Sequence, residues 1–377
     1  MVYKVIGLMS GSSLDGLDIA YVHLQERAGK WEYEFVHTET RPYTPEWRER
    51  LAAAPGLSAL DYQLLHVEYG RWLGETVARF IGSHGLAYQV QLIASHGHTV
   101  FHIPFRRMTA QLGDGAALAA VTGINVVSDL RAMDLALGGQ GAPIVPGGER
   151  LLISDYSLFL NLGGIANISR RAGGETAGEA GEAAGKAGGY AAFDVCPANR
   201  VLNMLAAREG LSYDDRGTLA AKGSVNEELL RRLNELSYYG EAYPKSLANG
   251  FGTDTVYPMI VETGIGTADA LRTYVEHIAV QVCRGLVALG VPGGAKHMLV
   301  TGGGAHNDLL VGRLRELLQP QGVDLVVPEA ALIDFKEALV MALLGVLRWR
   351  EENNVLASVT GARRDSIGGA VWMGQEV

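Results

Sequence analysis

A strand, a glycine-rich turn and a second strand lie near the N-terminus of this chain, and the same arrangement returns near its middle. The segment GLMSGSSLDGLDIAYVHL at residues 7–24 places apolar runs on both sides of a turn of Gly, Ser and Asp. The segment YSLFLNLGGIANISRR at residues 156–171 has the same order with a shorter turn. Each turn alone is explained either by ordinary turn chemistry or by phosphate binding through backbone N–H groups. The recurrence therefore constrains the fold more than either turn does.

Both halves continue with a third strand and then with alternating helices and strands. The predicted strands lie near 3–9, 17–24, 31–37, 91–95, 124–128, 156–171 (two strands), 189–195, 297–301 and 323–329. The predicted helices lie after Ser58 and near 114–122, 198–209, 214–222, 225–236, 268–289 and 335–352. This alternation indicates an α/β fold whose topology, though not its sequence, is duplicated. Two such halves facing each other would form a cleft.

The first long helix carries a start signal and a candidate core face. Ser58 followed by Asp61 is a capping-box pattern. The apolar side chains Leu60, Leu64, Val67 and Trp72 predict the face that packs on the sheet.

Length and composition exclude several classes of protein. A chain of 377 residues is too long for one compact core and indicates two domains. Its net charge of −9 provides no basic face for nucleic acid. Two cysteines are too few for a disulfide framework, so both are expected to be reduced. The N-terminus has a strand pattern rather than that of a signal peptide, and no long apolar run predicts a membrane span, so we expect a soluble cytoplasmic protein.

Small-residue turns follow several of the predicted strands, at 10–16, 161–167, 301–304 and, less clearly, 138–142. A nucleotide held between two domains needs a turn from each half, with glycines where the backbone approaches it closely. No turn has the GxxxxGK[ST] pattern of a P-loop, and TGGGAHN is not the GxGxxG of a dinucleotide fold. The segment 172–189, made of Ala, Gly and Glu with one Thr and one Lys, cannot build core and predicts a flexible, exposed hairpin extension.

Eight segments in a fixed order resemble the anhydro-N-acetylmuramic acid kinase family. They are GLMSGSSLDGLDIA, ASHGHTVFH, QLGDGAALA, INVVSDLRAMDLALGGQGAPIVP, LNLGGIANIS, AAFDVCPANRVLN, VTGGGAHN and KEALVMALL, and the closing ASVTGARRDSIGGAV extends the resemblance to about residues 5–375. The resemblance implies two actin-like (ribonuclease H-like) domains with duplicated mixed sheets flanked by helices, and an active site in the cleft between them. We expect an N-terminal domain at 1–130 with a return at about 356–377, and a C-terminal domain at 131–355.

The resemblance also implies ATP, Mg²⁺ and a 1,6-anhydro sugar from cell-wall turnover, phosphorylated as its ring is opened by water, and it suggests a homodimer. The residues implied to bind ATP are Gly11, Ser12, Ser13, Leu14, Asp15, Gly16, Leu17 and Asp18 in the first loop, Gly163 and Gly164 in the second, and Gly302, Gly303 and Gly304 near the adenosine. Asp15 would lie near Mg²⁺ through water.

The remaining implied residues face the sugar, and each has a structural alternative. Asp194 matches the catalytic aspartate, a general base for water, although aspartate is also a favoured helix cap. The others are His96 and Thr99 in SHGHT, Asp129 and Arg131 at a strand end, and Glu337 at a helix start. Arg131 suits the lactyl carboxylate of a muramic acid, or else a structural salt bridge. Glu337 would accept a sugar hydroxyl, or else lie on a solvated surface.

The sequence departs from the family pattern on the expected sugar side. The usual Asp-Thr-Gly-Pro-Gly-Asn reads DVCPAN at 194–199, with Cys196 and Ala198 in place of glycines. The usual SHGQT has His98 in place of Gln, and KSLANGFG at 245–252 has Asn249 near the place of an arginine. These changes leave the sugar open, so a kinase for another anhydro sugar such as levoglucosan is one alternative. A non-catalytic ATP-binding clamp that uses the same fold is the other.

Overall fold

The computed structural model describes residues 1–11, 14–171, 190–242, 245–247, 250–291 and 296–375. The predictions for Ser12, Ser13, Asn249 and the segment 172–189 lie outside these residues. By its internal contacts the chain divides into unit 1, residues 1–154 and 335–377, and unit 2, residues 155–334.

Strands and helices alternate along the described chain. The strands are β1 (Val2–Ser10), β2 (Gly16–Arg27), β3 (Lys30–Pro42), β4 (Leu92–Ile103), β5 (Met108–Leu112), β6 (Val126–Ser128), β7 (Leu158–Leu162), β8 (Ile165–Arg171), β9 (Tyr190–Pro197), β10 (Lys296–Thr301), β11 (Val323–Val326) and β12 (Ala370–Trp372). The α-helices are α1 (Pro45–Ala53), α2 (Ala59–Ser83), α3 (Gly115–Thr122), α4 (Ala132–Ala136), α5 (Val145–Leu152), α6 (Asn199–Ala206), α7 (Glu227–Asn234), α8 (Tyr257–Val261), α9 (Thr267–Ala288), α10 (Asp308–Leu318), α11 (Ala330–Trp349) and α12 (Ala357–Thr360). A π-helical turn, Phe251–Val256, precedes α8.

Each unit contains one mixed sheet, and the two sheets share a topology. In unit 1 the strand order is β12-β6-β4-β1-β2-β3, with β5 beside β4. In unit 2 the order is β11-β10-β7-β8-β9. Each sheet contains three consecutive antiparallel strands, and two further strands run parallel to the first of them. In unit 1 the parallel strands are β4 and β6, which follow the direction of β1. In unit 2 they are β10 and β11, which follow the direction of β7. The predicted α/β class with duplicated mixed sheets is confirmed.

The boundaries between the units differ from the limits expected from the sequence. Unit 1 extends to residue 154 and resumes at 335, where the expected limits were 130 and 356. Side-chain contacts show why residues just after 130 belong to unit 1. Arg131 bonds His96 of β4, and Asp134 of α4 accepts from Thr360.

Helix α11 lies directly on the first sheet from residue 335 onward. A Cβ on Gly7 of β1 would lie 1.9 Å from the carbonyl oxygen of Ala338. The helix backbone therefore touches the strand backbone where only glycine fits, which places Glu337 beside the sheet of unit 1.

The predicted core face of α2 is wrong at Leu60 and Leu64, whereas Trp72 is partly buried and packs against the core of unit 1. Leu60 is 69% and Leu64 is 52% exposed, whereas Leu73 and Val77 are fully buried. The buried stripe follows Leu65, Tyr69, Leu73 and Val77 at four-residue spacing, one position away from the leucines of the predicted face. The capping prediction is confirmed, because Oγ of Ser58 accepts from the amide of Asp61.

The helix predicted at 214–222 is also wrong. The segment forms two short 3-10 turns, Asp215–Gly217 and Ala220–Lys222. Asp214 accepts from the amides of Leu219 and Ala220, and these side-chain bonds replace the helical ones. Among the described helices, none has both the length and the apolar character needed to cross a membrane.

Candidate active site

Leu14, the described residue that follows Ser13 in the first predicted phosphate loop, has a strained backbone just before β2. Leu14 has a φ of 57°, in the left-handed region that non-glycine residues seldom occupy and that clusters at functional sites. The backbone carbonyl of Asp15 accepts from the amide of Tyr43, and its Oδ1 accepts from the amide of Gly16. Leu17 is buried in β2, and Asp18 accepts from Thr40. The turn therefore exposes the Asp15 side chain on a fixed backbone.

A chain of buried hydroxyl groups supports the base of this loop. Tyr69 and Tyr43 share a hydrogen bond of 2.6 Å, and Tyr43 donates to Oγ of Ser10 over 2.7 Å. Ser10, the residue before the loop, is 3.0 Å from Nδ1 of His98 on β4. Burial lowers the pKa of His98 to about 4. A neutral His98 bonds the Ser10 hydroxyl through Nδ1, which accepts when the ring proton is on Nε2 and donates when the proton is on Nδ1.

His96 and Arg131 form a second polar group at the end of β4. Nε of Arg131 donates to Nε2 of His96 over 2.8 Å, and Nδ1 of His96 bonds the carbonyl of Gly97. Burial, with the Arg131 charge, lowers the pKa of His96 to about 3. The ring is therefore neutral and both nitrogens are occupied within the protein. His96 holds Arg131 in place rather than offering a nitrogen to a ligand.

Arg131 is oriented but keeps part of its guanidinium unused. Its Nη1 donates to the carbonyl of Gly141 over 2.6 Å. In the described part of the chain no hydrogen bond involves Nη2. Burial lowers the pKa of Arg131 to about 10, while the charge of Glu337 opposes that shift. An oriented, charged guanidinium with a spare edge suits a carboxylate ligand.

Glu337, Asp129 and Thr99 complete the sugar-side candidates of unit 1. Burial raises the pKa of the Glu337 carboxyl, although the charges of Lys336 and Arg131 lower it. Asp129 is exposed in a left-handed conformation with φ of 56° and accepts from Ser128. Thr99 accepts from Gln111 of the neighbouring strand β5. The structure thus brings His96, Arg131 and Glu337 into electrostatic contact and places Asp129 two residues from Arg131.

The two predicted glycine turns of unit 2 meet around Asn199. Gly163 and Gly164 accept from the amides of Asn199 and Ala198, and Nδ2 of Asn199 donates to the carbonyl of Leu162. A Cβ on Gly304 would lie 2.7 Å from Leu162 and 3.0 Å from Asn199. The turns after β7 and β10 and the start of α6 therefore form one cluster.

Glycine is required by packing at one position of these turns but not at two others. Gly302 has a φ of 80°, and a Cβ there would lie 2.5 Å from the Asn161 side chain, so packing within the chain already requires glycine. Apart from its chain neighbours, a Cβ on Gly163 or Gly164 would meet no atom of the described residues closer than 3.4 Å. That open space leaves room for a ligand at the second turn.

Asp194 lies on β9 in an environment suited to a base. Its Oδ2 accepts from the amide of Leu247 over 2.9 Å, and no cation pairs with the carboxylate among the described residues. Burial raises its pKa. Tyr238 donates to the Asp194 carbonyl over 2.5 Å and is covered by Lys245, whose Nζ lies 4.5 Å from the ring centroid. The neighbouring Cys196 is unsuited as a nucleophile, because burial raises the pKa of its thiol.

Comparison with known proteins agrees with the resemblance. The sequence profile of one family, described as anhydro-N-acetylmuramic acid kinase, matches residues 3–374. This chain belongs to that family. An anhydro-N-acetylmuramic acid kinase of Vibrio parahaemolyticus is 32% identical over 375 residues, which cover 95% of each chain. One from Synechococcus elongatus is 33% identical over 396 aligned positions, which cover 98% of this chain and 99% of the relative. Among solved structures, an activator of 2-hydroxyisocaproyl-CoA dehydratase from Clostridium difficile has a TM-score of 0.46 at 15% identity and covers 93% of this chain and 96% of its own.

Three supporting residues of this anhydro-N-acetylmuramic acid kinase family member were not predicted as site residues. Asn199 joins the two glycine turns, Lys245 braces Tyr238 behind Asp194, and His98 supports Ser10. Each stands in a segment that resembles a family motif. Their position in those segments could have indicated a role in the site. Only the structure shows which neighbouring groups they bond.

Proposed function

We propose that this chain is an ATP-dependent kinase that converts 1,6-anhydro-N-acetylmuramic acid to N-acetylmuramic acid 6-phosphate in peptidoglycan recycling. The match to the family over residues 3–374 carries the proposal. The Asp194 carboxylate supports it, because a protein that only clamps ATP has no need of a buried base at that strand end. The proposal includes a homodimer and a cytoplasmic location.

In the proposed reaction Asp194 removes a proton from water as the water oxygen attacks C1 of the sugar. The C1–O6 bond breaks, its electron pair stays on O6, and O6 takes the γ-phosphoryl group while ADP leaves. Burial raises the pKa of this carboxylate, and a base with a raised pKa binds the proton more strongly. Phosphoryl transfer itself needs mainly positioning and charge neutralisation.

The ATP would be held by the glycine turns of both units. The first loop, Gly11–Asp18, and the second turn, Gly163 and Gly164, would bind phosphates, and 302–304 would lie near the adenosine. Mg²⁺ would neutralise phosphate charge beside Asp15. Among the described residues no three His, Cys, Asp or Glu side chains are grouped as metal ligands, which fits Mg²⁺ ligated mostly by phosphates and water.

On the sugar side we assign Arg131 to the lactyl carboxylate, because none of the described residues bonds its Nη2 while Nε and Nη1 are anchored. His96 is then a positioning residue for Arg131. Thr99, Asp129 and Glu337 would bond hydroxyl or amide groups of the sugar.

The test is a product assay with ATP, Mg²⁺ and 1,6-anhydro-N-acetylmuramic acid in ¹⁸O-labelled water. We expect phosphorylated sugar with ¹⁸O at C1, and loss of turnover in Asp194→Asn with ATP binding retained. Asp324→Asn, a change of the same kind at a side chain that is 69% exposed, is the matched control. Turnover of levoglucosan but not of 1,6-anhydro-N-acetylmuramic acid would keep the kinase assignment and change the assigned substrate. ATP binding without turnover of either sugar would contradict the kinase assignment.

A further inference from the structure

The small-residue turn at 138–142 has no part in the reaction described above. In this turn the amides of Gly139, Gln140 and Gly141 all donate to acceptors within the chain, over 2.7 to 2.9 Å. A turn that binds phosphate needs such N–H groups free to face the ligand. The turn at 138–142 is therefore not a further phosphate turn beside those after β1 and β7.

Two buried residues, Asp134 of α4 and Thr360 of α12, supply the acceptors for these amides. The backbone carbonyl of Asp134 accepts from Gly139, and its Oδ2 accepts from Gly141. The carbonyl of Thr360 accepts from Gln140, and its hydroxyl donates to Oδ1 of Asp134 over 2.6 Å. Asp134 is 0% and Thr360 is 2% exposed. The turn is thus held at every amide from 139 to 141 by two residues that also bond each other.

The Gly141 carbonyl, in contrast, bonds Arg131. It accepts from Nη1 of the guanidinium over 2.6 Å, while His96 bonds Nε. Gly141 has a φ of 65°, and a Cβ there would lie 2.2 Å from Leu135, so the backbone follows this path only with glycine. The turn therefore supplies one of the two anchors that orient Arg131.

We propose that Asp134 is a positioning residue for Arg131, because with Thr360 it fixes the turn whose Gly141 carbonyl orients the guanidinium toward the carboxylate of the sugar. This inference rests on the proposed function. Without the Asp134 carboxylate, the buried amide of Gly141 has no acceptor, and leaving it unpaired is costly. The turn would then shift, and the Gly141 carbonyl would shift with it. An arginine–carboxylate pair depends on the orientation of the guanidinium, so sugar binding should weaken.

The test compares the wild-type enzyme with Asp134→Ala and Asp134→Asn. For Asp134→Ala we expect the KM for the anhydro sugar to rise about tenfold with the KM for ATP unchanged, which marks a lost ground-state contact to one substrate. In Asp134→Asn the amide oxygen can accept from Gly141, and the amide nitrogen can donate to the Thr360 hydroxyl. That hydroxyl already lies 3.3 Å from the Leu356 carbonyl, to which it can donate. The sugar KM of Asp134→Asn should therefore stay within about threefold of wild type.

A double-mutant cycle with Arg131→Met shows whether the effect passes through Arg131. In the Arg131→Met background, Asp134→Ala should raise the sugar KM less than about twofold, a non-additivity that reports coupling. Asp214→Ala is the matched control, since Asp214 is a buried aspartate of unit 2 whose carboxylate accepts from two backbone amides. It should lower the unfolding temperature without changing either KM.

The inference is overturned if Asp134→Ala leaves the sugar KM unchanged, if it shifts both KM values together, or if its effect is as large without Arg131 as with it. If Asp134→Ala does not fold, Thr360→Val takes its place, because it removes only the hydroxyl that donates to Asp134. Thr360→Val should raise the sugar KM about threefold, with Thr360→Ser close to wild type, and an unchanged sugar KM in Thr360→Val rejects the inference.

Failure of the proposed function is distinguishable from failure of this inference. If the wild-type enzyme phosphorylates no anhydro sugar, the proposed function fails. A crystal structure of Asp134→Ala, or of Thr360→Val, then decides the inference. A Gly141 carbonyl that has moved away from Nη1 of Arg131 supports it, and an unmoved carbonyl rejects it.

Discussion

Arg131 donates its Nε hydrogen to Nε2 of His96 over 2.8 Å, and this bond fixes the tautomer of the histidine. Because an arginine can only donate, Nε2 must be the unprotonated nitrogen, and Nδ1 donates to the carbonyl of Gly97. His96 therefore holds the Arg131 guanidinium in its orientation. Its contribution to activity should pass through the orientation of that guanidinium.

Replacing His96 should therefore weaken sugar binding through Arg131. In His96→Leu the guanidinium loses one of its two anchors, and we expect the KM for the sugar to rise about tenfold, the loss of roughly one charged hydrogen bond. The KM for ATP should be unchanged in steady-state assays. His297→Leu, at a side chain that is 63% exposed, is the control. An unchanged sugar KM in His96→Leu would show that Arg131 needs no such support.

The two glycine turns of unit 2 should respond differently to alanine. In Gly302→Ala the left-handed backbone and the contact with Asn161 should cost about 1–3 kcal/mol of unfolding free energy. Gly163→Ala has room for its methyl group, so stability should stay within about 0.5 kcal/mol of wild type. If phosphates lie at the second turn, Gly163→Ala should still raise the KM for ATP several-fold. Denaturant unfolding and ATP kinetics measure both, and an unchanged ATP KM would place the phosphates elsewhere.

His98 offers a direct comparison with the family pattern, which has glutamine there. In His98→Gln the side-chain amide can accept from Ser10 through its oxygen or donate to it through its nitrogen, so activity should remain within about threefold of wild type. In His98→Leu the buried Ser10 hydroxyl loses this hydrogen-bond partner, and the unfolding free energy should fall by about 1–3 kcal/mol. Thermal unfolding and turnover of both variants provide the measurement. Equal effects of Gln and Leu would show that the hydrogen bond is unimportant.

The sequence predicted the features that depend on local pattern. Both strand-turn-strand starts and α9 follow from apolar runs and glycine turns, and they lie close to the predicted positions. Short elements were missed, including α1, although Thr44 followed by Pro45 is a helix-start signal that the structure confirms as a cap. Strand β12 was missed because its partner, β6, is distant in the sequence.

The candidate site was predictable as a set of residues but not as a set of contacts. The motifs indicate Asp194, Arg131 and Glu337, because only a few residue types can act as a base, bind a carboxylate or accept a hydrogen bond from a hydroxyl group. They do not show that the lysine before Glu337 bonds a glutamate 187 residues away. Such pairings are determined by tertiary packing, and the local periodicity of the sequence carries no information about them.

The pH dependence of turnover should report the environment of Asp194. Burial raises its pKa in the folded protein above the ordinary aspartate value of 3.8, and only the ionised form can take a proton from water. The value of kcat/KM should therefore fall as the pH is lowered, with a midpoint above 3.8. Lys245→Met removes the cation over Tyr238 and its bond to the Tyr238 carbonyl, so it should lower kcat more than it changes the KM for ATP. A pH profile of both enzymes measures this, with circular dichroism at each pH to separate unfolding. An acid midpoint below 3.8 would contradict this assignment: either the carboxylate is more stabilised than its burial indicates, or another group accepts the proton.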